Sequence, residues 1–172
     1  MLSEYLHSTA EKLIRAFGDS PFEIAEGIGI KVILNYEFSK LCGMYTVIKR
    51  RRIIILNGNM DSRRQKTVLA HEIGHDILHR HMAQNKVVHD VMVYDMSIKP
   101  EYEANMFASE LLLRDADVLA LLEKDGYSAE QAAAALDADI NLMLIKLSSM
   151  QKRGFKFDSV PLPADGRFIS EL

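Results

Sequence analysis

The chain has 172 residues, of which 48% are hydrophobic and 26% charged, and its formal net charge is -3. This composition is that of a globular protein with a real core, and it excludes a disordered chain. The slight excess of acids argues against nucleic acid as the partner of the whole chain, because nucleic-acid-binding domains usually carry a basic surface.

The sequence also indicates the cellular compartment of the protein. Cys42 is the only cysteine, which rules out an internal disulfide and fits a reducing compartment. The first residues contain acids and lack the basic start and apolar core of a signal peptide. No apolar run approaches the roughly 18 residues of a membrane-spanning helix. We therefore expect a soluble, cytoplasmic protein that does not associate with a membrane.

The first third of the chain predicts two helices followed by three strands. The helices span residues 3–17 and 21–26, and the strands span 31–36, 44–49 and 52–56. A basic run at residues 49–52 joins the second and third strands. A solvated hairpin tip explains this run more simply than a binding patch does, because charge runs usually face water.

The rest of the chain is mostly helical. Asp61 can cap a long helix over 62–80, and residues 82–99 have no clean period and predict a loop. Further helices are predicted at 100–113, 115–124, 128–136 and 140–153, before an irregular tail. The last two helices have the outline of a helix-turn-helix but few basic residues. This favours a packing or partner-docking role over direct DNA contact.

The motif that carries chemistry is His71-Glu72-Ile73-Gly74-His75, an HExxH sequence on the long helix. Histidines four residues apart share one face of a helix, so both imidazoles can reach one metal ion. Glu72 can act as general base toward a water molecule that the ion acidifies. Gly74 costs about 1 kcal/mol inside a helix relative to alanine, which predicts a close backbone approach there.

A zinc hydrolase needs a third protein ligand. His79 lies about 12 Å along the helix from His71, too far to share one ion. His81 falls where HExxHxxGxxH enzymes place a third histidine, but Leu78 replaces the glycine that lets the chain turn there. Glu101, on the next helix, is the best candidate, and Glu103 is a weaker one.

Asn105 lies four residues after Glu101, on the same helical face, and could orient a ligand histidine. The oxyanion stabiliser stays open among Tyr94, Tyr102, His79 and His89.

Two blocks of sequence resemble the ImmA/IrrE family of metallopeptidases. The first holds Ile53, Ile54 and Ile55, then Leu69-Ala70 before the HExxH motif and Ile77-Leu78-His79 after it. The second reads Glu101-x-x-Ala104-Asn105-x-Phe107-Ala108 and continues to Leu112. The chain departs from the family at Leu113-Arg114, where the family usually has Met-Pro.

The resemblance implies a fold, a cofactor and a substrate. It implies one zinc ion held by His71, His75 and Glu101, with Glu72 catalytic. The expected class is α+β and zincin-like, with a small mixed or antiparallel three-stranded sheet on the two ligand helices. Residues 1–113 would form the metallopeptidase domain, and 114–172 a helical C-terminal subdomain and tail.

The family resemblance also implies a protein partner. Relatives act on helix-turn-helix transcriptional repressors of mobile elements, phages or stress regulons, often by cleaving them. The alternative is a non-catalytic regulator in which the metal stabilises the fold and binding displaces the repressor. In zinc peptidases of this general design an edge strand pairs with the substrate, a role we expect for Ile53, Ile54 and Ile55.

Overall fold

The structure is a computed structural model that describes residues 1–83, 88–90 and 99–157. Two helices open the chain, α1 (Leu2–Phe17) and α2 (Pro21–Gly27). Three strands follow, β1 (Lys31–Asn35), β2 (Gly43–Ile48) and β3 (Arg51–Asn57). These five elements match the predicted ones to within one residue at nearly every boundary.

The long motif helix is α3 (Ser62–Ala83), and the helix that carries Glu101 is α4 (Lys99–Leu112). As predicted, Asp61 caps α3, since its Oδ1 accepts a hydrogen bond from the Arg64 backbone N–H at 2.8 Å. The helical geometry of α3 is interrupted at His79, where φ is -125°. The predicted tail, residues 158–172, lies outside the described residues.

Three α-helices and a π-helical turn complete the described chain. They are α5 (Asp115–Leu119), the π-helical turn Ala120–Lys124, α6 (Ala129–Ala135) and α7 (Ile140–Lys152). The predicted capping box opens α6: Ser128 Oγ accepts from the Gln131 backbone, and the Ser128 N–H donates to Gln131 Oε1 at 2.8 Å.

The sheet is mixed and has the order β1-β3-β2-β4. Strand β3 runs parallel to β1 and antiparallel to β2. A short fourth strand, β4 (Val88–Asp90), pairs antiparallel with β2 inside a region that we expected to be a loop. The α+β class and the small mixed sheet agree with the prediction, and β4 adds one strand to the three predicted.

The prediction that Ile53, Ile54 and Ile55 form an edge strand is wrong, because β3 has hydrogen-bonded neighbours on both sides. An uninterrupted apolar run is typical of an interior strand, which must bury side chains on both faces. The strand's backbone groups are already paired, so β3 has none to offer to a substrate.

One hydrophobic core joins the sheet to the helices. Strands β2 and β3 pack on α3, α3 packs on α4, and α4 packs on α1 and α7. Fully buried side chains come from all of these elements: Leu6, Tyr45, Ile54, Leu69, Ile73, Phe107, Leu142 and Ile145. Within the described residues, no helix combines the length and apolarity needed to cross a bilayer.

Candidate metal centre

The two HExxH histidines and Glu101 lie together in the structure. His71 Nε2 and His75 Nε2 are 2.9 Å apart, and Glu101 Oε2 is 3.1 Å from the first and 3.3 Å from the second. Both histidines are buried, and the Glu101 carboxylate is 13% exposed. Three potential ligands from α3 and α4 therefore converge on one point that borders solvent on the Glu101 side.

These separations fit a metal ion. Ligand atoms about 2.0–2.2 Å from a tetrahedral zinc lie roughly 3.3 Å from one another. Two imidazole Nε2 lone pairs and a carboxylate oxygen would repel each other at these distances, and a cation between them removes that repulsion. The donor set suits zinc and other borderline divalent ions.

The approach of α3 to α4 depends on Gly74. A Cβ on this residue would lie 3.1 Å from both Cα and O of Ala104 and 3.3 Å from Phe107 Cβ. The close backbone approach predicted from the sequence is therefore confirmed. It is the contact that brings Glu101, one turn before Ala104, beside the two histidines.

The ring nitrogens that face away from the cluster are held by partners on α3 and α4. His71 Nδ1 lies 2.9 Å from Asn105 Oδ1, so it donates to the amide oxygen and leaves Nε2 as the ligand atom. Asn105 therefore occupies the position predicted for it, fully buried behind the ligand histidine.

His75 has an equivalent support that the sequence analysis missed. Its Nδ1 lies 3.1 Å from His79 Nδ1, and His79 Nε2 lies 3.0 Å from Glu103 Oε2. If Glu103 accepts from His79 and His79 accepts from His75, the His75 Nε2 lone pair faces the cluster. Because His79 is four residues after His75 on α3, the helical spacing was the available signal.

The remaining third-ligand candidates lie apart from the cluster. His81 is exposed, and Glu103 is bonded to His79 rather than to either ligand histidine. Among the oxyanion candidates, Tyr102 accepts a hydrogen bond from Lys152 Nζ at 2.7 Å. Tyr94 and the side chain of His89 lie outside the described residues.

The protonation states also suit metal binding. Burial lowers the pKa of His75, which keeps that imidazole neutral near pH 7. Burial acts to raise the pKa of Glu101, but the adjacent imidazoles of His71 and His75 outweigh it and lower the pKa to about 2. The site therefore offers a neutral imidazole and an ionised carboxylate at neutral pH.

Glu72 is fully buried and lies against strand β2. A Cβ on Gly43, the first residue of β2, would lie 2.8 Å from Glu72 Oε1 and 2.6 Å from Val68 Cγ1. Nothing in the local sequence pattern singled out Gly43. Its lack of a side chain leaves the space that the Glu72 carboxylate occupies.

A second acidic cluster, made of His7, Glu110 and Asp115, also has metal-ligand spacing. Here the charges are already balanced, because Lys146 Nζ lies 2.5 Å from Glu110 Oε2 and 2.6 Å from Asp115 Oδ1. Arg153 pairs with Asp115 at 2.6 Å. We assign this cluster to the packing of α7 on α4 and α1.

The match of the sequence to a known protein family is consistent with this candidate metal site. Residues 25–148 match the model of the IrrE N-terminal-like domain, a peptidase family. The chain therefore belongs to the ImmA/IrrE family, as its two sequence blocks predicted.

Two relatives illustrate the family. The chain is 29% identical over 150 residues to Metallopeptidase ImmA of Bacillus subtilis (strain 168), covering 86% of this chain and 87% of that protein. It is 33% identical over 111 residues to Uncharacterized immunity region protein 2 of Bacillus phage phi105, covering 64% of this chain and 69% of the phage protein.

Proposed function

We propose that this protein is a zinc-dependent endopeptidase that cleaves a helix-turn-helix repressor and so relieves repression. The observation that carries the proposal is the convergence of His71, His75 and Glu101, with Glu72 in the same motif. Membership of a peptidase family supports the reaction class, and the immunity-region relative supports a regulatory protein as substrate.

In this proposal His71, His75 and Glu101 hold one divalent ion. When bound, such an ion supplies Lewis-acid chemistry that polarises a peptide carbonyl and acidifies water. Glu72 takes the proton from the attacking water and delivers it to the leaving amine, as a general base and then a general acid. Its burial against Gly43 limits its motion and excludes bulk water from one side of the carboxylate.

The sheet edge nearest to this site is β4. Its partner β2 begins at Gly43, which lies against Glu72 and pairs with Asp90 of β4. An extended peptide adding to the sheet beside the site would therefore pair with the outer edge of β4.

Replacing Glu72 by Gln tests the proposal. The variant should keep its metal, because Glu72 is not a ligand, and should lose cleavage by at least about a hundredfold, because a general base contributes about 10²–10⁴. Metal content is measured on purified protein. Cleavage of a candidate helix-turn-helix repressor is followed by mass spectrometry.

Two outcomes would contradict the proposal. If the protein purified without chelators contains no bound metal, the proposed metal site does not exist. If the Gln variant still relieved repression in cells while cleaving nothing, displacement of the repressor by binding alone would be the function.

A further inference from the structure

A concave pocket lies at the tip of the β2–β3 hairpin, on the part of the sheet that meets the end of α3. Its volume is about 440 Å³, and it is lined by Val47, Lys49, Arg50, Arg52 and Arg80. Four of these five side chains are cationic, although the chain as a whole carries a formal charge of -3. The pocket is therefore a local concentration of positive charge.

Few negative charges oppose these cations. Asp76, which is buried on α3, bonds to Arg52 Nη1 and to Arg80 Nη2, each at 2.8 Å. Within the ranges that the structure describes, Lys49 and Arg50 have no hydrogen-bond or ion-pair partner. The cluster thus keeps an excess of positive charge.

Two of the three arginines of the pocket, Arg52 and Arg80, are held in place before any ligand arrives. Arg52 also donates to the Ile28 carbonyl oxygen, and Tyr45 donates to Asp76 at 2.5 Å. Asp76 is thus fixed by a buried hydroxyl on one side and by two guanidinium groups on the other. Preorganised donors lose less conformational freedom when they bind an anion.

The two charged residues at the hairpin tip adopt a backbone conformation that is unfavourable for residues with side chains. Ile48 pairs with Arg51, so Lys49 and Arg50 form a two-residue loop, with φ of 49° and 67°. Positive φ at both positions is typical of a type I′ turn, for which Asn-Gly is the favoured sequence. A side chain on both residues is less stable there than glycine, so the two cations lie at positions where turn geometry alone would favour other residues.

We propose that this pocket binds a phosphate group. Guanidinium forks match phosphate oxygens in geometry, and the excess of positive charge suits a dianion better than a single carboxylate. Val47 is the one apolar lining residue, so recognition falls on the charged group and not on an attached ring. A phosphate monoester and a nucleic-acid backbone both present phosphate oxygens, but the monoester is a dianion and each backbone phosphate is a monoanion, so the excess of positive charge favours the monoester.

The test is titration of the full-length, metal-loaded protein with inorganic phosphate at low ionic strength, followed by the amide NMR signals of residues 47–52. We expect saturable shifts. The double variant Lys49→Asn with Arg50→Gly should bind phosphate about a hundredfold more weakly, since each of the two lost charged hydrogen bonds accounts for roughly tenfold. The same variant should melt at a higher temperature, because it relieves the turn.

Arg51→Ala is the matched control. Arg51 belongs to the same basic run but does not line the pocket, so this variant should retain phosphate affinity within about twofold. The absence of saturable shifts would overturn the proposal. An equal loss of affinity in Arg51→Ala would also overturn it, because the effect would then be general charge attraction.

Two further ligands identify the source of the phosphate. Adenosine monophosphate that competes with phosphate, with comparable affinity, supports a small monoester. A single-stranded oligonucleotide that competes with phosphate and binds more tightly supports a nucleic-acid source. An oligonucleotide that binds while phosphate does not would overturn the pocket as a phosphate site. None of these measurements uses peptide cleavage. A failure to bind phosphate would therefore not contradict the proposed peptidase activity, and a lack of peptidase activity would not contradict phosphate binding.

Discussion

In the candidate metal site, the proposed ligands His71 and His75 each have a hydrogen-bonded partner on the ring nitrogen that faces away from Glu101. Asn105 holds the distal nitrogen of His71, and the pair His79–Glu103 holds that of His75. Partners of this kind fix the tautomer and the ring orientation, and their loss commonly costs about 10–100-fold in metal affinity or activity.

Replacing His79 by Ala should therefore lower zinc affinity by about 10–100-fold. His81→Ala provides the control, because this histidine belongs to the same helix but is exposed and outside the cluster. Competition with a chromogenic chelator measures both affinities. Equal affinities in the two variants would show that His79 does not support the ligand histidine.

Substitutions at two glycines should affect metal binding and turnover separately. Gly43→Ala places a methyl group 2.8 Å from Glu72 Oε1, so it should lower kcat by up to about a hundredfold and leave metal affinity unchanged.

Gly74→Ala instead pushes α4 and Glu101 away from α3, so it should weaken metal binding first. Isothermal titration with zinc and kinetics at saturating metal distinguish the two effects, and a reversed pattern would contradict these assignments.

Among the elements, the pairing of α4 with α7 is one that the sequence pattern did not reveal. Glu110 on α4 and Lys146 on α7 are both buried and lie 2.5 Å apart, and Ser149 Oγ donates to Glu110 at 2.6 Å. Removing one partner of such a buried pair leaves an uncompensated charge. Because α4 also carries Glu101, α7 stabilises the helix that supplies the proposed third ligand.

Asp115 makes the stability that this network contributes depend on pH. Burial acts to raise the pKa of Asp115, but bonds with Arg153 and Lys146 lower it from 3.8 to about 2. A depressed folded-state pKa gives stability that is present above pH 3.8 and is lost as the pH falls toward 2. We expect about 1–2 kcal/mol from this group, allowing for its partial exposure.

Urea unfolding of wild type and Asp115→Asn at a series of pH values measures this contribution. The difference in the free energy of unfolding between the two proteins should shrink between pH 4 and pH 2, because only the wild type titrates at position 115. A constant difference over that range would mean that the Asp115 ion pairs contribute nothing to acid stability.

At the scale of the whole molecule, one core spans the predicted boundary between residues 113 and 114. Leu6, Phe107 and Leu142 come from α1, α4 and α7, and all three are buried in it. The division at this boundary remains a prediction about which part folds by itself.

Truncation after Leu113 examines the boundary. The shortened chain loses α7, which exposes the core and leaves Glu110 without Lys146 and Arg153, so we expect no cooperative unfolding by circular dichroism. Lys146→Met in the full chain is the milder comparison and should retain a cooperative transition. Cooperative unfolding of the truncated chain with one bound metal would instead show that residues 1–113 fold alone.

The sequence by itself determined the features that depend on short-range periodicity. The spacing of His71 and His75, the caps at Asp61 and Ser128, and most helix and strand boundaries follow from neighbouring residues, because helix and turn geometry repeats within a few positions. Residue type and the four-residue spacing also singled out Glu101 and Asn105.

Only the tertiary structure decided which distant segments touch. It placed β3 inside the sheet, put Gly43 against Glu72, linked His79 to Glu103 and paired Glu110 with Lys146. Such contacts depend on how whole elements pack, and many packings are compatible with the same local pattern. The close contact at Gly74 belongs to the packing that brings Glu101 beside His71 and His75, because a Cβ at this position would crowd Ala104 and Phe107 at 3.1–3.3 Å.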